Sequence, residues 1–201
     1  MHAPAPQCIV IGASAGGLGA LRILLARLSP AFGARIVIVS HTGSTDMRTF
    51  CEVLSEQCPL AVQEASERIR PEPGSVYVAP GGYHLLIESD HRFAFSVDSK
   101  IGFSRPSIDV LFESAADAWG PALAAVVLTG ANSDGAAGLV RVRQSGGLAI
   151  VQDPREAEMD TMPQAALEIA GADHCLDLRA MADLLNALCA THHDDPENPV
   201  G

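Results

Sequence analysis

Short apolar runs alternate with segments of helical periodicity along most of this chain. Residues 8–11 form the first run, and the leucines that follow recur every three or four positions between Leu18 and Leu28. Residues 35–40 form a second run whose apolar positions are continuous, which is typical of a strand buried on both faces of a sheet. Strands that alternate with helices predict a mainly parallel sheet that carries helices on both faces.

The same patterns extend through the remaining sequence. Strands are predicted at 8–11, 35–40, 60–63, 75–79, 122–128, 147–151 and 173–176. Helices are predicted at 18–28, 46–57, 107–118, 134–144, 163–170 and 178–189, the third of them with Ser107 as its cap. Two more strands, at 83–88 and 92–97, flank a polar turn and predict a hairpin. The expected fold class is α/β: a three-layer α/β/α arrangement with a doubly wound parallel sheet and a local antiparallel hairpin.

Three reactive side chains each follow a predicted strand. Ser14 comes after the first strand, His41 after the second, and Asp134 lies beyond the strand that ends at Leu128. Ligands of such sheets bind outside the carboxyl ends of the strands, so we expect these side chains to share one edge. A hydroxyl, an imidazole and a carboxylate at one edge predict acyl transfer, with Ser14 as nucleophile, His41 as base and Asp134 as the residue that orients it.

Ser14 carries the most specific of the three signals. It lies in a Gly-Ala-Ser-Ala-Gly segment at 12–16, which fits the G-x-S-x-G pattern of a nucleophile turn between a strand and a helix. The free N–H groups that open the helix are suited to hold a developing oxyanion. Each residue also has a plainer interpretation: Ser14 as part of a tight-packing or phosphate-binding turn, His41 as a loop histidine, and Asp134 as a helix N-cap.

A dinucleotide-binding turn is the main competing interpretation of the opening segment. Its glycines, at 12, 16, 17 and 19, do not form the G-x-G-x-x-G fingerprint, and His41 stands near the position where an acidic residue would bind the ribose. Neither Tyr77 nor Tyr83 has a lysine four residues later, and the sequence holds no G-x-x-x-x-G-K-[ST] loop. We therefore expect no cofactor, and the histidine spacings predict no metal site.

Composition narrows the range of partners. The chain has 24 acidic residues against 13 basic ones, with a formal net charge of −11 and Lys100 as its one lysine. Such a balance argues against nucleic-acid binding, which needs cationic groups, and against docking on an anionic membrane. Five cysteines without CxxC spacing, together with the absence of a signal peptide or long apolar stretch, favour a cytoplasmic protein with reduced thiols.

One domain accounts for most of the 201 residues. We place it at about 7–190, because no linker, internal repeat or low-complexity segment divides that stretch. The segments 1–6 and 191–201 are polar or proline-bearing, and we expect them to be flexible.

Seven segments together resemble the chemotaxis receptor methylesterase family, in the form of its CheB-type catalytic domain. The most specific are Val-Ile-Gly-Ala-Ser-Ala-Gly-Gly at 10–17 and Val-Leu-Thr-Gly-Ala-Asn-Ser-Asp-Gly-Ala-Ala-Gly at 127–138. The others lie at 39–41, 77–85, 105–112, 146–153 and 162–166. The match runs in order over nearly the whole expected domain.

The resemblance implies a three-layer α/β/α fold and hydrolysis of glutamyl γ-methyl esters on chemoreceptors in bacterial chemotaxis, with deamidation of receptor glutamines as a further activity. The family's catalytic serine, histidine and aspartate fall on Ser14, His41 and Asp134. The implied oxyanion donors are the backbone N–H groups of Ala15 and Ala131. Methylated cytoplasmic receptor helices and separate signalling proteins are the implied partners. A receiver domain commonly precedes the catalytic domain in this family, and we expect none in this chain.

Two departures from the family's usual residues bear on the substrate. Ala15 stands where threonine is common, and Ala131 stands where the usual Thr-Gly-Met-Gly-Asn-Asp loop has methionine. Alanine keeps the backbone N–H groups but reshapes the cleft, so we expect either a non-standard receptor or slow turnover. Two alternatives stay open at this point: a catalytically silent interaction domain with the same fold, and a small-molecule esterase.

Overall fold

The computed structural model describes residues 4–42, 46–102 and 104–190. Its strands are β1 Cys8–Ala13, β2 Arg35–Ser40, β3 Ala61–Glu64, β4 Ser75–Val78, β5 His84–Ile87, β6 Phe93–Ser96, β7 Leu123–Val127, β8 Leu148–Gln152 and β9 His174–Leu176. Its α-helices are α1 Gly17–Leu25, α2 Arg48–Ser55, α3 Ile108–Trp119, α4 Ala136–Gln144, α5 Thr161–Ile169 and α6 Leu178–Leu188. A 3₁₀ turn, Gly120–Ala122, joins α3 to β7.

Seven of the described strands form one parallel sheet in the order β3-β4-β2-β1-β7-β8-β9. Strand β2 lies on one side of β1, and β7, which comes much later in the chain, lies on the other side. Such a reversal of strand order leaves a crevice at the carboxyl edge, between the loops that follow the central strands. The remaining strands, β5 and β6, pair with each other as an antiparallel hairpin.

Both faces of the sheet are covered, which explains the continuous apolar runs of its central strands. On one face, Ile9 and Ile11 pack into a cluster that includes the buried residues of α1, α2 and α6. On the other face, Cys8 and Val10 pack into a second cluster with α3, α4, α5 and the hairpin. All four of these β1 side chains are fully buried. Burial of an aliphatic side chain of this size contributes about 1.5–3 kcal/mol, so alternate β1 residues tie the sheet to both helical layers. The predicted three-layer α/β/α class is confirmed.

Five of the six predicted helix starts shift by one or two residues, and the starts of α3 and α4 bear on the site. Ser107 occupies the N-cap position of α3, as predicted, but its side chain makes no capping hydrogen bond to that helix. The helix predicted from 134 begins instead at Ala136, after Gly135, whose φ of 97° takes the chain out of helical geometry. Of the segments expected to be flexible, residues 1–3 and 191–201 lie outside the described residues. Within the described ranges, no helix is long and apolar enough to cross a lipid bilayer.

Candidate active site

Three loops meet at the carboxyl edge of the central strands. Ser14 directly follows β1, and its N–H donates to the carbonyl of Thr129 in the loop after β7 (3.0 Å). His41 directly follows β2, and its N–H donates to the carbonyl of Ala13 (3.1 Å). Asp134 lies later in the loop after β7. Ser14 and His41 line one pocket of about 300 Å³. The three predicted residues are therefore gathered at one edge, as the strand order requires.

His41 and Asp134 are in direct contact. The Nε2 atom of His41 lies 3.0 Å from Oδ2 of Asp134, and the two side chains are only 12% and 7% exposed. The ring N–H is not aligned well enough for a hydrogen bond in this arrangement. An imidazole and a carboxylate at this distance have the geometry of a general base and the carboxylate that orients it.

The Asp134 carboxylate is fixed by the start of α3. Its Oδ2 accepts a hydrogen bond from the N–H of Ile108 (2.8 Å), and its Oδ1 accepts one from the N–H of Asp109 (2.9 Å). The Ser107 hydroxyl donates to Oδ1 as well (2.9 Å). Burial by itself would raise the pKa of Asp134, but His41 and these three donors outweigh it and hold the pKa below its ordinary value. The carboxylate is thus kept ionised and points at His41.

Asp134 therefore caps α3, a helix that precedes it by 26 residues, and not the helix that follows it. The close approach of α3 depends on Gly12 in β1, where a Cβ atom would overlap the side chain of Ile108. The left-handed backbone at Gly135 then separates Asp134 from the start of α4.

Asp109 completes a reciprocal arrangement between α3 and α4. Its Oδ1 accepts hydrogen bonds from the N–H groups of Gly135 (2.9 Å) and Gly138 (2.7 Å). Burial raises the pKa of Asp109 to about 6; the Gly138 N–H opposes that rise, and the negative charge of Asp134 adds to it. Asp134, from the loop before α4, thus caps the start of α3, and Asp109, from α3, caps the start of α4. The two carboxylates are neighbours.

Thr129 ties the loops together beneath the pocket. Its hydroxyl accepts from the N–H of Met159 (2.8 Å) and lies within donating distance of the carbonyl of Ala15 (2.9 Å). Its own N–H donates to Oε1 of the buried Gln152 (2.8 Å). Because Thr129 also accepts from the N–H of Ser14, one buried residue fixes the turn that carries the predicted nucleophile.

The predicted oxyanion donors belong to exposed residues. In the described part of the chain, the N–H groups of Ala15 and Ala131 donate to no protein acceptor, and both residues are exposed. Nor is Ser14 Oγ hydrogen-bonded to His41 among the described residues, a state that unliganded hydrolytic sites commonly show before substrate tightens them. The site thus offers two unpaired donors beside a free hydroxyl.

Several residues of the site were missed by sequence reasoning. They are Ser107, Asp109, Thr129, Asn132 and Glu158. The first four lie inside the segments 105–112 and 127–138 that carry the family resemblance, which was the available signal; Glu158 lies in no such segment. No group of three or more His, Cys, Asp or Glu side chains in the described ranges is arranged to hold a metal ion.

Comparison with known proteins gives one consistent result. Residues 9–185 match the family model described as CheB methylesterase. A Leptospira interrogans protein, named provisionally as a protein-glutamate methylesterase/protein-glutamine glutaminase, is 47% identical over 178 residues, which cover 89% of this chain and 92% of that protein. The protein-glutamate methylesterase/protein-glutamine glutaminase of Mesorhizobium japonicum is 37% identical over 187 residues, 92% of this chain but 55% of that protein.

A solved structure has the same fold. The Thermotoga maritima CheB methylesterase catalytic domain superposes with a TM-score of 0.87 at 31% sequence identity, over 91% of this chain and 98% of that one. The parallel sheet with its helical layers is therefore the fold of that catalytic domain.

Proposed function

Because the chain belongs to the CheB methylesterase family, we propose that it hydrolyses γ-methyl esters of glutamate side chains on chemoreceptors in bacterial chemotaxis. It is an enzyme of the hydrolase class, a protein-glutamate methylesterase by family. The observation that supports the chemistry best is the contact of His41 with Asp134 (3.0 Å) beside a pocket that also exposes Ser14. Residues 7–190 form the proposed catalytic domain.

The proposed reaction begins at Ser14. Its Oγ attacks the ester carbonyl, and His41 takes the hydroxyl proton through the ring nitrogen that is turned away from Asp134. The carbonyl oxygen becomes negative and is held by the N–H groups of Ala15 and Ala131. When the intermediate collapses, the C–O bond to the methoxy group breaks and His41 returns its proton to that group, which leaves as methanol.

Water completes the cycle. His41 removes a proton from a water molecule, the resulting hydroxide attacks the glutamyl-serine ester, and the bond to Ser14 Oγ breaks as that oxygen regains its proton. The products are a glutamate carboxylate, with its proton released to solvent, and the free enzyme. Asp134 stays ionised throughout and stabilises the imidazolium that forms twice in each turnover. With ammonia as leaving group the same steps deamidate glutamine, which we propose as the second reaction.

The substrate and the compartment follow from the same proposal. Receptor methyl esters lie on cytoplasmic helices, so we place the enzyme in the cytoplasm, with methylated receptor helices and separate signalling proteins as partners. A pocket of about 300 Å³ accepts a side-chain ester that projects from a helix surface. The small, exposed side chains of Ala15 and Ala131 favour a receptor segment with bulkier neighbours around the ester.

Methanol release from methylated receptor fragments tests the proposal. Ser14→Ala is expected to reduce release to background, and Asp134→Asn to lower it by roughly 10⁴-fold, as in other serine triads. Ser133→Ala, an exposed serine in the same group of loops, is the matched control and is expected to keep wild-type turnover. Circular dichroism of each variant checks folding, because Asp134 also caps α3.

Other outcomes assign a different role. Release that persists in folded Ser14→Ala would remove Ser14 as nucleophile. A wild-type protein that binds receptor fragments but releases no methanol, and takes no fluorophosphonate label at Ser14, would be a silent interaction domain. Turnover of simple esters without turnover of receptor esters would indicate a small-molecule esterase.

A further inference from the structure

Asn132 bridges His41, the proposed base, and Asp134, the residue that orients it. Its Oδ1 accepts a hydrogen bond from the backbone N–H of Asp134 (3.0 Å), and its Nδ2 lies 3.3 Å from Nδ1 of His41. The side chain is half-buried, in the loop between β7 and α4. One amide group therefore spans the gap between the imidazole and the residue that orients it.

The orientation of that amide is determined by its surroundings. A backbone N–H can only donate, so the atom that faces the N–H of Asp134 is the oxygen of Asn132. The NH₂ group is then the end that faces His41, and it can only donate. Nδ1 of His41 must therefore be the unprotonated nitrogen of the neutral ring.

The opposite side of the ring requires the same tautomer. Nε2 of His41 faces the ionised carboxylate of Asp134 at 3.0 Å, where an unprotonated nitrogen would place a lone pair against a negative charge. We infer that Asn132 is a positioning residue, whose amide and the Asp134 carboxylate together hold neutral His41 with its proton on Nε2 and its lone pair on Nδ1. The inference rests on the proposed function and deepens it, since the lone pair that faces the Asn132 amide is the one that accepts the Ser14 proton.

The contact also acts on the charged ring. When Nδ1 gains a proton, two donors face each other, so the Asn132 amide disfavours the imidazolium in the resting enzyme. The amide must therefore turn aside or yield to Ser14 Oγ when the proton arrives. A hydrogen-bond acceptor in place of the Asn132 NH₂ group would instead favour the imidazolium.

Asn132→Asp is the decisive variant because it makes that change with almost no change in shape. One carboxylate oxygen can still accept from the N–H of Asp134, so the loop contact is kept, while the other replaces the donor that faced Nδ1. Ser133→Asp is the matched control, since it adds the same charge one residue away at an exposed position. Asn132→Ala removes both contacts and reports the structural contribution of the loop.

The other charged groups around the ring are common to all these proteins. They are Asp134, which faces Nε2; Asp109 on α3, directly behind it; and Glu158, which lines the same pocket ahead of α5. Their effect is therefore the same in the wild type and in both charge variants, and a difference between the variants reports position 132.

The first measurement is the ¹⁵N spectrum of the His41 ring, identified by its loss in His41→Gln. Wild-type protein is expected to show the Nε2–H tautomer at neutral pH. In Asn132→Asp the ring is expected to stay doubly protonated to a pH higher by about one unit or more, the size typical of a new carboxylate contact, whereas Ser133→Asp shifts it far less. An Nδ1–H tautomer in the wild type, or equal shifts in the two variants, would overturn the inference.

The second measurement is the pH profile of kcat/KM for methanol release. The acid limb is expected to move to higher pH by the same amount in Asn132→Asp and to stay in place in Ser133→Asp. An unmoved limb in an active Asn132→Asp enzyme would contradict the inference while leaving the proposed function intact. If the wild type releases no methanol, the proposed function fails, and the ring spectrum still decides the role of Asn132.

Discussion

Single residues affect how well this site stabilises negative charge, and Glu158 is placed to oppose it. Glu158 is exposed and lines the pocket that holds Ser14 and His41. A methyl group built on Gly16 would lie 2.9 Å from its Oε2, so the carboxylate stands over Gly16 at the start of α1, one residue after Ala15. The proposed oxyanion forms at this place, and a fixed negative charge nearby opposes it.

Glu158→Gln is therefore expected to raise kcat/KM on acidic receptor fragments. The gain is roughly two- to fivefold at low salt, under about 1 kcal/mol, because the carboxylate is exposed and screened. Methanol release at several salt concentrations measures it, and the gain shrinks as salt increases. Glu156→Gln, an exposed carboxylate two residues earlier on the same loop and outside the pocket lining, is the control. Equal gains in both variants would show that only net charge matters.

Among the elements, the loops after β1, β7 and β8 act as one unit because Thr129 joins them. Replacement by valine keeps the shape but removes the acceptor of the Met159 N–H and the group beside the Ala15 carbonyl. Thr129→Val is expected to lower the free energy of unfolding by about 1–2 kcal/mol, the usual cost of a buried polar group left unpaired. Because the turn that carries Ser14 loses a support, kcat is expected to fall as well.

Urea unfolding and methanol release check these two effects of Thr129→Val. Thr161→Val is the control, since it makes the same change at the exposed first residue of α5. A Thr129→Val protein with full stability and wild-type kcat would mean that the three loops hold their positions without the hydroxyl.

The sequence predicts elements best where local chemistry alone decides them. β2 occupies the predicted range because a continuous apolar run meets polar residues at both ends. Ser14, His41 and Asp134 are predicted to lie at one edge because the loops after parallel strands share that edge. The cap of α3 could not be predicted in this way. Its start is satisfied by Asp134, 26 residues later, and that contact exists only once α3 has packed beside Gly12. The local sequence indicates which helix a residue adjoins, but it does not indicate a distant helix that the residue caps.

For the molecule as a whole, the neighbouring carboxylates of Asp109 and Asp134 couple the packing of α3 against α4 to pH. The folded protein holds a proton on Asp109 up to about pH 6, whereas the unfolded chain releases it near pH 4. The folded state therefore binds more protons than the unfolded chain between these two pH values. The contribution of Asp109 to the free energy of unfolding is greatest below about pH 4 and is lost as the pH rises to about 6. Asp134 has the opposite sign, since its lowered pKa gives stability that is lost as pH falls through the acid range.

Asp109→Asn isolates the first of these effects. The amide oxygen can still accept from the N–H groups of Gly135 and Gly138, so the capping bonds are kept while the buried charge is removed. The free energy of unfolding of the wild type, relative to this variant, is expected to fall by about 1 kcal/mol between pH 4 and pH 6 and to stay level above, a modest value because the carboxylate is partly screened by solvent. Urea unfolding across pH 3.5–8 measures the difference, with Asp183→Asn, an exposed carboxylate on α6, as the control. If the free energy of unfolding of the wild type relative to Asp109→Asn rose with pH over this interval, Asp109 would ionise more readily in the folded protein than in the unfolded chain. The hydrogen bonds from the start of α4 would then outweigh both the burial of Asp109 and the charge of Asp134.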